Sequence, residues 1–221
     1  MKIFVPIKHN SQRVKNKNFR IFDKLPLWKH LIEKLVDFEI YIDTDSDIIL
    51  KEATNYKNVV AYRREASLLG HKTSVVELIK FFVNKFSFEN EIICQVHATS
   101  PYLNIEHLKF AKNILENGNS FDSILTVNKF QNRFWHYENS EEIKPLNHNP
   151  KFLEQTQDLN PLYEENSYFY MFHSAVLKKN NRIGKKPYLY EISFPYNIDI
   201  DNENDFALAT SILEVFNNEN N

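Results

Sequence analysis

The chain has 221 residues, of which 43% are hydrophobic and 14% aromatic, which is enough to bury the core of a folded domain and excludes a mainly disordered chain. Its 27 Lys and Arg and 29 Asp and Glu give a formal charge of -2, so no net basic field holds nucleic acid non-specifically. Cys94 is the only cysteine and excludes an intrachain disulfide, and no run of about 18 apolar residues predicts a membrane span. We therefore expect one domain over residues 1–221, located in the cytoplasm.

Apolar runs alternate with helical patterns along the first part of the chain. The runs predict strands over 3–7, 39–42, 59–62, 91–96 and 121–127, and the helical spacing predicts helices over 27–36, 47–53, 74–86 and 104–115. Ser74 and Glu77 have the spacing of a capping box at the start of the third helix. This alternation predicts a parallel sheet covered on both faces, where ligands bind beyond the carboxyl ends of the strands.

The rhythm breaks over residues 130–166, a polar and aromatic stretch that contains three prolines. We expect an excursion there that covers a site or pairs with a second subunit. Strands over 168–172 and 188–194 and an amphipathic helix over 203–216 are predicted to follow.

The loop after the first strand is strongly basic. Residues 8–20 carry no acid and five cations, which are Lys8, Arg13, Lys15, Lys17 and Arg20. At the carboxyl end of a strand such a loop is a candidate polyphosphate site, with Ser11 and backbone N–H groups as further donors. The alternative is a solvated basic loop.

Asp199 and Asp201 flank Ile200 in an extended segment, so both carboxylates lie on one face about 6–7 Å apart. Two close carboxylates suit Mg²⁺, which takes one or two of them together with substrate phosphates. The alternative is an acidic approach to the last helix, stabilised by the helix dipole.

Two further segments follow predicted strands. In the acidic run 43–47, Asp45 or Ser46 is expected to cap the next helix, and a second metal site is the alternative. His97 begins a His-Ala-Thr-Ser-Pro turn, where it is either a base or ligand contact or part of an ordinary turn.

Four segments in order carry a family resemblance. Residues 6–11 with 17–20 look like an opening phosphate loop, 41–45 like a second-strand motif, 99–101 like a Thr-Ser-Pro turn, and 198–206 like an Ile-Asp-Ile-Asp ending. Together they resemble the CMP-sugar-acid synthetases, the acylneuraminate cytidylyltransferase family. The resemblance implies a Rossmann-like, GT-A-like α/β nucleotidyltransferase fold of three layers, with a mostly parallel sheet and a small dimerisation excursion at about 130–166.

The resemblance also implies an activity. Family members transfer CMP from CTP to an acidic sugar, a 3-deoxy-2-keto sugar acid such as a sialic-acid-like nonulosonate, and release pyrophosphate with Mg²⁺ in glycan biosynthesis. Carried over by position, Lys17 and Asp201 would be catalytic, and Asp199 and Asp201 would hold the metal. The nucleotide would contact Lys8, Asn10, Ser11, Arg13, Asn18, Arg63 and His97. The expected partners are CTP, a small anionic acceptor and a second copy of the chain.

The acceptor half of the match departs from the family. Glu164 stands where sialate-activating members carry an arginine for the acceptor carboxylate, although Asn166 is retained. The acceptor candidates are Gln155, Gln157 and Asn166. The alternatives are a CTP-dependent transferase for a phosphonate or another anionic acceptor, and a catalytically silent nucleotide- or sugar-binding protein.

Overall fold

The structure is a computed structural model that describes residues 1–11, 14–70, 72–117 and 120–219. The strands are β1 (Lys2–Ile7), β2 (Ile21–Phe22), β3 (Leu25–Pro26), β4 (Ile40–Thr44), β5 (Val59–Arg63), β6 (Ile92–Val96), β7 (Ser123–Phe130), β8 (Trp135–Tyr137), β9 (Ile143–Pro145), β10 (Leu162–His173) and β11 (Pro187–Glu191). The α-helices are α1 (Leu27–Lys34), α2 (Asp47–Glu52), α3 (Val75–Phe86), α4 (Ile105–Asn117) and α5 (Glu203–Glu219). Short 3-10 helices include Lys17–Phe19 and Ser174–Lys179.

Among the described residues, seven strands form a central sheet in the order β11-β7-β10-β6-β1-β4-β5. Neighbours pair in parallel except β10, which runs antiparallel to both β6 and β7. The predicted α/β fold with a mostly parallel sheet is therefore confirmed. The hairpins β2–β3 and β8–β9 lie outside this sheet.

Alternation along the strands builds a core on each face of the sheet. In β1, Ile3 and Val5 pack with α1 and α4 on one face, whereas Phe4 packs with α3 on the other. The capping box begins α3 as predicted, because the Ser74 Oγ accepts from the Glu77 N–H and the Glu77 carboxylate accepts from the Ser74 N–H. Helices on both faces give the three layers that the alternation predicted.

Several predicted boundaries are wrong, among them those of two strands in the second half of the chain. The strand predicted over 168–172 is the longer β10, so residues 162–166 of the predicted excursion belong to the central sheet. The strand predicted over 188–194 ends at Glu191, and Phe194 leads into a cis Phe194–Pro195 bond. Polar side chains on the strand obscure the first boundary, since β10 is exposed at Glu164 and Glu165.

Cys94 is a buried thiol in an apolar strand. Cys94 is fully buried in β6, and burial raises the pKa of its thiol, so the side chain acts as a small apolar group. Within the described part of the chain, no helix combines the length and the apolar character needed to cross a membrane.

Candidate active site

A cavity of about 510 Å³ opens at the carboxyl ends of the neighbouring strands β1 and β6. Many predicted site residues that lie far apart in the chain line it together, namely Lys8, Asn10, Ser11, Lys17, Asn18, His97, Asp199 and Asp201. Ala98, Thr99 and Ser167 are also in its wall. This position is where open α/β sheets bind their ligands.

Hydrogen bonds within the basic loop after β1, and from the loop to the segment after β4, hold the start of the loop in place. The Asn18 side-chain amide donates to the Lys8 carbonyl oxygen at 2.9 Å. The His9 N–H donates to the Asp45 carboxylate at 2.5 Å, and the His9 ring lies 2.9 Å from the Ser46 hydroxyl. The start of the loop is thereby tied to the segment after β4, and Asp45 serves as an anchor for the loop.

The acidic run after β4 caps a helix, as the first of its two interpretations predicted. Ser46 is the N-cap of α2, and its hydroxyl accepts from the Ile49 N–H at 3.4 Å. Asp47 lies in the first turn of α2 and forms an ion pair with Arg63. Because these side chains are engaged in the cap, the loop anchor and a surface pair, the run does not favour a second metal site.

Lys17 joins the basic loop to the acidic segment near the end of the chain. Its side chain is only 11% exposed, and Nζ donates to the Ile200 carbonyl oxygen at 2.5 Å. The same nitrogen lies 3.4 Å from the Asp201 carboxylate. The Ile200 N–H donates in turn to the Thr99 carbonyl oxygen at 2.9 Å. Three distant segments therefore fix the Lys17 ammonium at the cavity wall.

Asp199 and Asp201 line the cavity. The alternative interpretation gave them an acidic role at the start of the last helix, and Asp205 has that role instead. The Asp205 carboxylate accepts from the N–H groups of Asp201 and Asn202, both at 2.8 Å, just before α5. The described residues contain no cluster of three or more metal-ligating side chains. A cation held by Asp199 and Asp201 would take its other ligands from substrate and water, which is how Mg²⁺ usually binds. The donor set therefore fits Mg²⁺.

His97 is neutral at physiological pH. Burial, together with the nearby charges of Arg182 and Lys17, lowers the pKa of its ring to about 4, while Asp201 opposes this shift. The ring Nε2 lies 2.8 Å from the Gln95 side-chain nitrogen. A ring with such a low pKa is a poor general base at neutral pH.

Of the two predicted nucleotide-binding arginines, only Arg63 lies among the described residues, and it is not in the cavity wall. Arg13 lies outside the described residues. Arg63 is exposed on the surface, where it pairs with Asp47. The neighbouring Arg64 is buried and pairs with Asp43 in β4, which sequence reasoning missed. Asp43 itself was the signal, because an acid buried in a sheet strand requires a cationic or hydrogen-bonding partner.

The three predicted acceptor-binding residues lie on or beside the excursion. Gln155 and Gln157 are exposed outside the cavity, and their side-chain amides contact each other. Asn166 is nearly buried, donates to the Asn128 side chain at 3.0 Å and accepts from the Tyr168 N–H at 3.2 Å. Asn166 therefore fixes an irregularity of β10 beside the cavity-lining Ser167.

Ser167 has a φ of 57°, a left-handed conformation that costs an L-residue about 1–2 kcal/mol and glycine nothing comparable. We expect Ser167→Gly to raise the free energy of unfolding by about 1 kcal/mol, as read from the denaturant midpoint at unchanged m value. Ser167→Ala is the matched control, because it removes the hydroxyl and keeps the strain. A stabilisation of equal size in both variants would show that backbone strain is not the cause.

The comparisons with known proteins agree with this geometry. A family model described as Cytidylyltransferase matches residues 3–219. The chain is 28% identical over 211 residues to an N-acylneuraminate cytidylyltransferase of Oncorhynchus mykiss, covering 90% of this chain and 47% of that protein. It is 25% identical over 216 residues to a CMP-N,N'-diacetyllegionaminic acid synthase of Campylobacter jejuni, covering 94% and 92%. The chain thus spans about half the length of the vertebrate relative and nearly all of the bacterial one.

The solved structures that resemble the chain confirm its fold. A CMP:2-keto-3-deoxy-manno-octonic acid synthetase complexed with CTP superposes with a TM-score of 0.65 at 10% identity, covering 96% of this chain and 97% of that one. A 4-diphosphocytidyl-2C-methyl-D-erythritol synthase from Anaerococcus prevotii gives 0.66 at 13% identity, with 96% of each chain covered. Because the family model spans nearly every residue, the chain belongs to the cytidylyltransferase family of the acylneuraminate cytidylyltransferases and CMP-sugar-acid synthetases.

Proposed function

We propose that the chain transfers CMP from CTP to an acidic sugar and releases pyrophosphate. The observation that carries the proposal is the convergence of a basic, hydroxyl- and amide-bearing loop, a buried lysine and two carboxylates on one cavity. The family and its curated relatives supply the nucleotide and the kind of acceptor.

The chain's own residues favour phosphoryl transfer by positioning and charge stabilisation. The Lys8 ammonium, the Asn10 amide and the Ser11 hydroxyl provide donors for the phosphate oxygens. Lys17, held by the Ile200 carbonyl, offsets negative charge on the transferring phosphoryl group. The oxygen of an acceptor hydroxyl forms a bond to the α-phosphorus while the bond to pyrophosphate breaks. The bonding pair leaves with the pyrophosphate, and the hydroxyl proton passes to solvent.

Asp199 and Asp201 hold Mg²⁺ in this proposal. The ion, when bound, neutralises charge on the triphosphate. The contact of Lys17 with Asp201 orients that carboxylate at the cavity wall, so lysine and carboxylate act as one unit.

The acceptor in the proposal is a 3-deoxy-2-keto sugar acid. The relatives act on acylneuraminate, N,N'-diacetyllegionaminic acid and, in Helicobacter pylori, pseudaminic acid, as their names state. Glu164 is not in the cavity wall, and its carboxylate accepts from the Asn128 amide at 2.9 Å. Asn166 serves the acceptor by shaping the wall at Ser167. Gln155 and Gln157 contribute only where the excursion of this or a second chain closes over the cavity.

A homodimer forms part of the proposal. The β8–β9 hairpin and the residues after it expose several large apolar side chains, with Leu153 exposed by 90% and Tyr137 by 70%. Apolar side chains gathered on one excursion are typical of a protein interface. They support pairing of two chains through the excursion.

Nucleotide-selective stabilisation tests the nucleotide half of the proposal. We expect CTP with Mg²⁺ to raise the melting temperature more than UTP, ATP or GTP, since ligand at about 100 times its Kd adds roughly 2.7 kcal/mol to the free energy of unfolding. Each nucleotide is measured with and without Mg²⁺. Equal shifts for all four, or none, would contradict a CTP enzyme.

Two alternatives predict different products. A transferase for a phosphonate or another anionic acceptor would release pyrophosphate with that acceptor and not with sugar acids. A silent binding protein would show the CTP shift without pyrophosphate release. Lys17 is buried beside Asp201. This position favours a catalytic lysine over one that only binds a nucleotide or only adds charge to the surface.

A further inference from the structure

A line of polar side chains runs from the cavity wall into the sheet. His97 Nε2 lies 2.8 Å from the Gln95 side-chain nitrogen, and the Gln95 Oε1 accepts from the Arg182 guanidinium at 2.6 Å. Gln95 is fully buried in β6. Arg182 comes from the segment before β11, so the line joins two distant parts of the chain at the cavity.

The donors and acceptors on this line leave one arrangement of protons. A guanidinium has donors only, so Arg182 must meet the oxygen of the Gln95 amide. The Gln95 nitrogen, which carries two hydrogens, then faces His97 and donates to Nε2. Because Nε2 accepts, the single proton of the neutral His97 ring must be on Nδ1.

Arg182 is held where it can impose this order. Its guanidinium stacks on the Tyr170 ring at 3.4 Å from the centroid, and the Tyr170 hydroxyl donates to the Glu165 carboxylate at 2.7 Å. Burial lowers the pKa of Arg182, while Tyr170 and Glu165 oppose that shift. No described carboxylate forms an ion pair with Arg182. The Gln95 oxygen is therefore a favoured acceptor for the charged N–H groups of Arg182.

The Nδ1 edge of the ring is available to a ligand. His97 lines the cavity, and among the described residues Nδ1 makes no hydrogen bond and is not a buried atom without a partner. The charged groups around the ring are Arg182, Lys17 and Asp201. Burial, Arg182 and Lys17 favour the neutral ring, while Asp201 opposes them.

We propose that Arg182, acting through Gln95, is a positioning residue that locks His97 as the Nδ1–H tautomer, so that His97 donates a hydrogen bond to a substrate oxygen in the cavity. The identity of that oxygen rests on the proposed function, whereas the tautomer does not. In this state Nδ1 cannot take a proton from an acceptor hydroxyl. His97 therefore binds substrate and is not the general base that its position in the sequence left open.

The decisive variant is Gln95→Glu, because a carboxylate accepts from both neighbours at nearly the same volume. It still meets Arg182, but it forces His97 Nε2 to carry a proton. Long-range proton–nitrogen correlation spectra of protein labelled with ¹⁵N-histidine, recorded at pH 8 without ligand, read the protonated nitrogen. The signal is assigned from its loss in His97→Leu.

We expect Nδ1–H with an unprotonated Nε2 in the native chain, and a protonated Nε2 in Gln95→Glu. Arg182→Met, which frees the amide to turn, is expected to give a mixture of tautomers and to raise the pKa of His97. Arg182→Lys is expected to restore part of the Nδ1–H state, and the exposed Lys185→Met is the matched control. A protonated Nε2 in the native chain, or an unchanged tautomer in Arg182→Met, would overturn the proposal.

Kinetics provide the second measurement. We expect Gln95→Glu and Arg182→Met to lower kcat/KM about tenfold, the size of one lost hydrogen bond. The control Lys185→Met is expected to keep an unchanged melting temperature. His97→Asn keeps a donor near the position of Nδ1 and is expected to retain more activity than His97→Leu. Equal losses in these two variants would contradict donation by Nδ1. The spectra remain decisive if no cytidylyl transfer is found.

Discussion

Asp201→Asn is expected to lower kcat for pyrophosphate release by 10²–10³-fold or more. The substitution removes one of the two carboxylates that hold Mg²⁺ in the proposal and the negative partner of Lys17. The fold should survive, because the Asp201 N–H that donates to Asp205 is retained. The loss is measured by steady-state release at increasing Mg²⁺, and a higher Mg²⁺ requirement is expected to accompany it.

Glu203→Gln is the matched control for Asp201→Asn. Glu203 lies two residues further along, is exposed, and pairs with Arg20 at the surface. We expect near-native turnover from this control. Near-native turnover from Asp201→Asn as well would show that the metal and catalytic roles proposed for Asp201 are wrong.

Lys17→Met should reduce kcat by about 10²–10³-fold, the usual effect of removing one preorganised group that stabilises transition-state charge. It also leaves the Ile200 carbonyl without its ammonium donor, which we expect to cost about 1–3 kcal/mol in the free energy of unfolding. Turnover and denaturant unfolding are therefore measured on the same preparation. Methionine is chosen because the Lys17 side chain is almost fully buried, and a methionine side chain fills a similar volume without the charge.

Lys15→Met controls for the general positive charge of the loop. Lys15 lies in the same basic loop but is exposed and outside the cavity wall. If the loop acted only as a diffuse basic surface, the two lysine variants would lose similar activity. We expect a large loss only for Lys17→Met.

Much of the site was predictable because it follows the ends of strands. The alternation of strands and helices predicted a parallel sheet with ligands beyond the carboxyl ends of its strands. The polar residues after β1 and β6, such as Asn10 and His97, do meet at one edge. The spacing of Asp199 and Asp201 predicted two carboxylates on one face of the chain, and both line the cavity. Periodicity and turn chemistry are local signals, and these features depend on little else.

The features that the sequence did not predict depend on partners far away in the chain. Arg182 stands in a basic stretch that reads as solvated surface, and only the packing of β10 against β6 brings it to Gln95. Arg64 likewise pairs with Asp43 because β5 packs beside β4 in the sheet. The direction of β10 was also beyond local reasoning, because an apolar run gives the same signal in a parallel and an antiparallel strand.

Product identification tests the central claim most directly. The purified chain is incubated with Mg²⁺, CTP and, in separate reactions, N-acetylneuraminic, N,N'-diacetyllegionaminic, pseudaminic and 2-keto-3-deoxy-manno-octonic acids, and a phosphonate. Mass spectrometry follows the products, with Asp201→Asn as the blank. We predict a CMP-sugar acid formed in equal amount with pyrophosphate from at least one sugar acid. A CMP conjugate of the phosphonate alone, or no CMP conjugate despite CTP binding, would contradict it.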